Sequence, residues 1–225
     1  MSNVALILGA GSGTRMKTDK SKLLLDIMGK TVIERSVEAF LSVSDVDEVI
    51  VTVREEDIEA FSALLDDERI TFVIGGKTRQ ESVQNAVDTI DEAELILIHD
   101  GARPFIREAD IENTIIAAKT FGAAAVGVPV KDTIKVIDGD AFVVDTPDRS
   151  TLFAVQTPQI FDFRHYKAAL EKAARDGRDF TDDCQLIEYA GGKVKMVTGD
   201  YSNIKITTPD DIAVAENILL NRIRR

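Results

Sequence analysis

Apolar runs of strand length alternate along the chain with stretches in which apolar residues return every three or four positions. Val4-Ala5-Leu6-Ile7-Leu8 is unbroken, as expected of a strand covered on both faces. Behind it, Val32, Ile33, Val37 and Phe40 fall on one helical stripe, with Thr31 in place to cap the first turn. Val49-Ile50-Val51-Thr52-Val53 is a second buried strand. The alternation continues with a helix over 55–65, a strand over 70–74, a helix over 80–90 and a strand over 95–98. Repeated βαβ units require a mostly parallel sheet with helices on both faces, and such sheets bind ligands just beyond the carboxyl ends of their strands.

From Gly122 the pattern changes. Residues 123–130 read as another buried strand, but 133–137 and 141–145, joined by Asp138-Gly139-Asp140, read as a two-stranded hairpin where a helix belongs. A lone hairpin is marginal in water, so this arm is expected to pack on something, and a symmetry mate would serve. Residues 153–158 return to the core. Helices are predicted over 163–174 and 182–190, the second capped by Thr181, followed by a strand over 194–197 and an extended piece over 203–207. A last helix is capped by Thr208 with Pro209 at its first position. No Pro/Gly/Ser-rich linker divides the 225 residues, so one α/β domain over 1–225 is expected, with the arm at 131–150 inserted in it.

Charge sharpens this picture. The net charge of −12 argues against a general nucleic-acid binder, so any anionic ligand must be met by local clusters of cations. No run approaches bilayer length and no basic-then-apolar leader is visible, so a cytoplasmic protein with no membrane partner is expected. A lone cysteine, Cys184, excludes an internal disulfide, and with only His99 and His165 beside it a zinc site is not expected. All three are read as packing or surface residues.

The positions just after strands collect glycines and cations. After the first strand come Gly9-Ala10-Gly11-Ser12-Gly13-Thr14-Arg15-Met16, then Lys20 and Lys22. Glycines remove the Cβ atoms that would hold a phosphate chain away, and Arg15 and Lys22 supply positive charge. The loop is not a dinucleotide fingerprint, which needs glycine where Met16 stands. Nor is Gly29-Lys30-Thr31 a P-loop, which needs glycine where Leu24 stands. After Ile74 come Gly75-Gly76-Lys77-Thr78-Arg79 and Ser82; after Ile98 come His99-Asp100-Gly101-Ala102-Arg103-Pro104. Asp100 ends a buried run, where a carboxylate can hold Mg²⁺ against phosphates; an aspartate that merely opens an Asp-Gly turn is the other reading.

Taken with Pro129-Val130, Asp132-Thr133-Ile134-Lys135, Gln156-Thr157-Pro158-Gln159, Thr181-Asp182-Asp183 and Asn203-Ile204-Lys205-Ile206-Thr207, these motifs span almost the whole chain in order. As a set the sequence closely resembles the 2-C-methyl-D-erythritol 4-phosphate cytidylyltransferases. The resemblance implies a three-layer Rossmann-like nucleotidyltransferase fold with a protruding β-hairpin arm, CTP as co-substrate, Mg²⁺ and a homodimer. It implies that Ala10, Gly11, Gly13, Arg15 and Lys22 hold the CTP phosphates and that Gly76, Arg79 and Ser82 frame the cytosine. Asp100 would face Mg²⁺ and the sugar phosphate. Arg103, Thr133, Arg149, Thr157, Thr181 and Lys205 would surround the polyol phosphate, with Thr133 and Arg149 reaching across from the arm of a second subunit. Arg15, Lys22 and Lys205 would be the catalytic cations. Gly9 and Gly101, where the family often carries alanine, are expected to loosen the loop slightly. The rival readings are a ribitol-5-phosphate cytidylyltransferase and a non-catalytic nucleotide sensor.

Overall fold

The computed structural model describes residues 2–11 and 21–223; Gly13 and Arg15 of the expected site lie outside the described residues. Strand β1 (Asn3–Leu8) leads through the short pair β2 (Asp26–Ile27) and β3 (Lys30–Thr31) into helix α1 (Val32–Leu41) and strand β4 (Glu48–Val53). Thr31 caps α1 as expected, and Glu34 returns its carboxylate to the Thr31 N–H at 2.7 Å, which completes a capping box. The helix expected over 55–65 is one 3₁₀ turn followed by α2 (Ile58–Leu64), after which come β5 (Ile70–Ile74), α3 (Arg79–Val87) and β6 (Leu95–Asp100).

Helix α4 (Glu108–Phe121) is the element the sequence pattern did not announce. Its Ile111, Thr114, Ile115 and Ala118 are buried on one stripe, but Ile116 and Phe121 are 63% and 58% exposed and blur the periodicity. Gly122 ends it with φ +81°, a conformation that favours glycine, and donates its N–H to the Ala118 carbonyl at 2.8 Å. Strand β7 (Ala123–Pro129) follows, and then the hairpin, whose strands β8 (Val136–Ile137) and β9 (Val143–Asp145) are shorter than expected. Every residue of both strands is exposed, so only local hydrogen bonds maintain the pairing: Asp138 Oδ1 accepts the N–H groups of Asp140 and Phe142 at 3.0 and 2.9 Å.

The chain returns through β10 (Phe153–Asp162), α5 (Phe163–Arg175), α6 (Asp183–Tyr189), β11 (Lys195–Thr198) and α7 (Asp210–Ile223). Asp182, not Thr181, caps α6: the carboxylate reaches the Cys184 N–H, a bond for which the Thr181 hydroxyl is one position too early. The main sheet runs β11-β7-β10-β6-β1-β4-β5, with β10 antiparallel to both its neighbours and the other pairs parallel.

Alternation along each central strand divides the core in two. Ala5, Ile7, Leu95 and Leu97 pack with α1, α2, α4 and α7, whereas Val4, Leu6, Ile96 and Ile98 pack with α3, α5 and α6. Order reverses at β1, whose chain continuation goes to β4 on one side while β6 pairs on the other. Leu8 of β1 lies opposite Asp100 of β6, so the glycine loop and the aspartate leave the sheet side by side at this switch point.

Candidate active site

The carboxyl ends of β1, β4, β5 and β6 open into a cavity of about 540 Å³. Its first wall is made by strand ends pressed together. A Cβ on Gly9 would lie 2.5 Å from the Thr52 carbonyl oxygen, and one on Gly75 would overlap the Ala10 methyl. Gly101 is similarly confined by the Leu8 carbonyl at 2.9 Å. Gly9 and Gly101 are therefore required for close backbone approach in this chain, and the expected loosening is not what they bring.

The second wall is the turn from β5 into α3. Ser82 Oγ accepts the Gly76 N–H at 3.0 Å and donates to the Thr78 carbonyl at 2.9 Å, while Thr78 caps α3 through the Glu81 N–H at 3.1 Å. Gly76, Arg79 and Ser82 all line the cavity, but the Ser82 hydroxyl is committed to shaping the loop. The Arg79 guanidinium, mostly buried, is held by Asp183 Oδ2 at 2.5 Å. Burial opposes its charge, yet Asp183 in contact and Asp100 further off hold its pKa above the ordinary arginine value.

The third wall belongs to the segment after β11. Ile206 donates its N–H to the Ala102 carbonyl at 2.8 Å, and buried Asn203 donates Nδ2 to the Thr157 carbonyl at 3.0 Å. These bonds lay residues 203–206 beside the end of β6, so that Lys205 Nζ reaches Asp100 Oδ2 at 2.8 Å. Lys22 comes from the opposite side and donates Nζ to the Ile206 carbonyl at 2.8 Å. Lys22, Lys205 and Asp100 thus converge from three distant parts of the sequence and line one cavity, with Ala10 and Gly11 beside them.

Asp100 is the cavity's one carboxylate among the described residues. Burial alone would raise its pKa, but Lys205, then Arg79 and Arg103, overcome that and hold it down to about 2. Arg103 lies 3.6 Å from the same carboxylate oxygen and donates Nη1 to the Asn203 carbonyl at 2.8 Å. It faces Asp100 from behind the cavity, and desolvation lowers its pKa from the usual arginine value.

Thr157 is 4% exposed and does not line the cavity. Its hydroxyl accepts the Asp100 N–H at 3.0 Å and meets His99 Nδ1 at 3.0 Å, which places it under Asp100 as a support. His99, fully buried against Phe40, has its pKa pushed down to about 4 by burial. Thr133 and Arg149 lie exposed on the arm, outside the cavity, with Arg149 Nη1 donating to the Lys131 carbonyl at 2.7 Å. Thr181 is exposed beside the α6 cap and does not line the cavity either. Buried Cys184 has its thiol pKa raised by desolvation, which makes it a poor nucleophile. Among the described residues no cluster of three metal-ligating side chains occurs, and no helix is long and apolar enough to cross a membrane.

Sequence reasoning passed over Arg54 and gave Asp183 no role beyond its place in the Thr181-Asp182-Asp183 motif. Arg54 lines the cavity and directly follows β4, so the rule that ligands bind beyond strand ends selects it as readily as it selected Asp100. Asp183 gave no such signal, since its partner Arg79 is 104 residues away.

A mostly parallel α/β sheet with a cation-lined cavity at its switch point, built on glycines and one ionised carboxylate, defines a nucleotidyltransferase-type site. The family model described as IspD, 2-C-methyl-D-erythritol 4-phosphate cytidylyltransferase, matches residues 3–221. A protein of that name from Caldanaerobacter subterraneus is 45% identical over 221 residues, covering 96% of this chain and 97% of the relative. Another from Clostridium perfringens is 42% identical over 220 residues, covering 96% and 98%. The crystal structure of 4-diphosphocytidyl-2C-methyl-D-erythritol synthase from Anaerococcus prevotii superposes with a TM-score of 0.89 at 37% identity, covering 97% of this chain and 96% of that one. The chain belongs to the 2-C-methyl-D-erythritol 4-phosphate cytidylyltransferase family and is a CTP-dependent nucleotidyltransferase. The ribitol-5-phosphate and sensor readings are not favoured by these matches.

Proposed function

We propose that the cavity joins CTP and 2-C-methyl-D-erythritol 4-phosphate, giving 4-diphosphocytidyl-2-C-methyl-D-erythritol and pyrophosphate. A phosphate monoester is largely ionised at neutral pH, so its oxygen can attack the α-phosphorus of CTP in line without a general base. That suits a cavity with neither histidine nor cysteine on its walls among the described residues. Lys22, with Arg15 from the glycine loop, serves the triphosphate, and Ala10, Gly11 and Gly13 let it approach the backbone. Gly76, Arg79 and Ser82 form the cytosine end. Lys205 and Asp100 face the attacking phosphate, with Arg103 behind. The observation that carries this reading is the convergence of Lys22, Lys205 and Asp100 in one cavity.

Mg²⁺ fits the donor set, because the ion usually binds through one or two carboxylates plus substrate phosphates and water. Asp100, ionised down to about pH 2, is the residue that would hold it. Bound there, it would neutralise charge on the phosphoryl oxygens.

We further propose one cytoplasmic domain over 1–225, with residues 131–150 as a dimerisation arm that carries Thr133 and Arg149 to a partner's cavity. Ile137, Phe142, Val143 and Val144 are 55–71% exposed, and such clustered apolar exposure favours a covered surface. Phe142→Asp with Val144→Asp is expected to shift a dimer to monomer in sedimentation and to lower polyol-phosphate affinity with little loss of CTP affinity. A variant that stays dimeric removes the role given to the arm.

Pyrophosphate release across a panel of nucleotides and polyol phosphates tests the whole reading. Release is expected with CTP and 2-C-methyl-D-erythritol 4-phosphate together; preferential release with ribitol 5-phosphate overturns it.

A further inference from the structure

Two stretches singled out in the sequence, the one ending at Arg79 and Thr181-Asp182-Asp183, meet in the fold, with Gln80 between them. Gln80 Nε2 donates to the Arg178 carbonyl at 2.9 Å, and Gln80 Oε1 accepts the Phe180 N–H at 2.9 Å. Asp182 Oδ1 accepts Gln159 Nε2 at 2.5 Å as well as capping α6. The segment ahead of α6 is therefore pinned to both α3 and β10, and it presents Asp183 to the back of Arg79.

Asp183 is 4% exposed, and each carboxylate oxygen has its own donor: Arg79 Nη2 on Oδ2, and the Tyr166 hydroxyl on Oδ1 at 2.6 Å. Tyr166, fully buried on α5, stacks on Phe161 of β10 with centroids 5.1 Å apart and planes 22° apart. Two donors from two helices on two different oxygens fix the carboxylate in plane and position. Among the described residues Arg79 commits only Nη2 in this way, which leaves Nε and Nη1 for a ligand at the cavity.

The guanidinium has a second suitor. Asp100, which lines the same cavity, acts on it electrostatically but is itself engaged by Lys205 at 2.8 Å. An Arg79 not held from behind would be free to turn toward Asp100 and to compete there with Lys205. We infer that Asp183 and Tyr166 are positioning residues for nucleotide binding: they anchor Arg79 on the wall of the cavity and keep it off Asp100. This rests on the reading of Arg79 as part of the nucleotide end.

The test is a set of variants, Asp183→Asn, Tyr166→Phe, Arg79→Gln and the double Asp183→Asn/Arg79→Gln. CTP affinity is read by calorimetry, kcat and KM by pyrophosphate release, and folding by thermal melts. Asp183→Asn is expected to weaken CTP about tenfold while kcat stays within about threefold, and Tyr166→Phe to weaken it about threefold. In the Arg79→Gln background, Asp183→Asn is expected to add nothing to the loss of affinity, because its effect passes through the arginine. Lower melting temperatures with unchanged CTP affinity, or losses that simply add in the double variant, overturn the inference. If Asp183→Asn does not fold, Tyr166→Phe combined with Arg79→Gln carries the same cycle with the same outcomes. An Arg79→Gln variant that binds CTP normally removes the nucleotide reading of that wall, a failure distinct from the failure of Asp183 to position it.

Discussion

Lys22→Ala is expected to lower kcat by roughly 10²- to 10³-fold, the loss typical of one preorganised charge-stabilising group, while CTP affinity falls by less than about tenfold. The difference follows from where charge accumulates. On the proposed reading the ground-state triphosphate is solvated and met by several groups besides Lys22, so one ammonium among them is partly redundant. In the in-line transition state negative charge gathers on the α-phosphoryl oxygens inside the cavity, where a nearby cation acts through less screening than in open water. Lys22 is prepared for that task because its Nζ is anchored on the Ile206 carbonyl at 2.8 Å and need not reorganise. Lys22→Arg is expected to rescue poorly, since the longer planar guanidinium cannot sit as a compact charge on that carbonyl. Single-turnover rates set beside calorimetric CTP affinities check both variants, with thermal melts controlling for the lost tie to residue 206. Normal turnover in Lys22→Ala would withdraw the catalytic role.

What could be read ahead of the structure was whatever local chemistry decides. The stripe of α1 and its Thr31 cap need only residues within a turn of one another, and β1 declares its burial by the unbroken apolar run from Val4 to Leu8. The site was legible as a set of strand ends because a parallel sheet sends them all to one edge. Legibility failed where tertiary contact decides. Helix α4 carries exposed Ile116 and Phe121, so its pattern reflects two environments at once. Thr157 could be named from its motif, but whether its hydroxyl faces the cavity or supports Asp100 depends on β10 running antiparallel beside β6. Thr181 and Asp182 compete for one cap, and a single residue of register decides between them. Asp183 shows the limit most clearly: a buried carboxylate next to a cap looks structural until Arg79 is seen against it.

The sharpest electrostatic consequence concerns Asp100. Asp100→Asn keeps the shape of the side chain and removes its charge, leaving Lys205 at 2.8 Å and Arg103 at 3.6 Å facing each other without the anion between them. Turnover is expected to fall by about 10²-fold or more, because the carboxylate fixes Lys205 and is the group proposed to hold Mg²⁺. Stability should change in a pH-dependent way. The folded-state pKa of about 2 lies below the ordinary 3.8, so ionised Asp100 favours the folded chain. That contribution is complete above about pH 4 and is lost as pH falls from there through about 2. A shift of this size corresponds to roughly 2 kcal/mol. In Asp100→Asn the contribution is absent at every pH, so the variant is less stable at neutral pH and its stability falls less steeply over that acid interval. Urea unfolding of both proteins from pH 2 to 7 reads the difference directly. Parallel curves would mean that the carboxylate gains nothing from Lys205 and Arg103 in the folded chain, and an Asn variant with full turnover would show that the cations act without it.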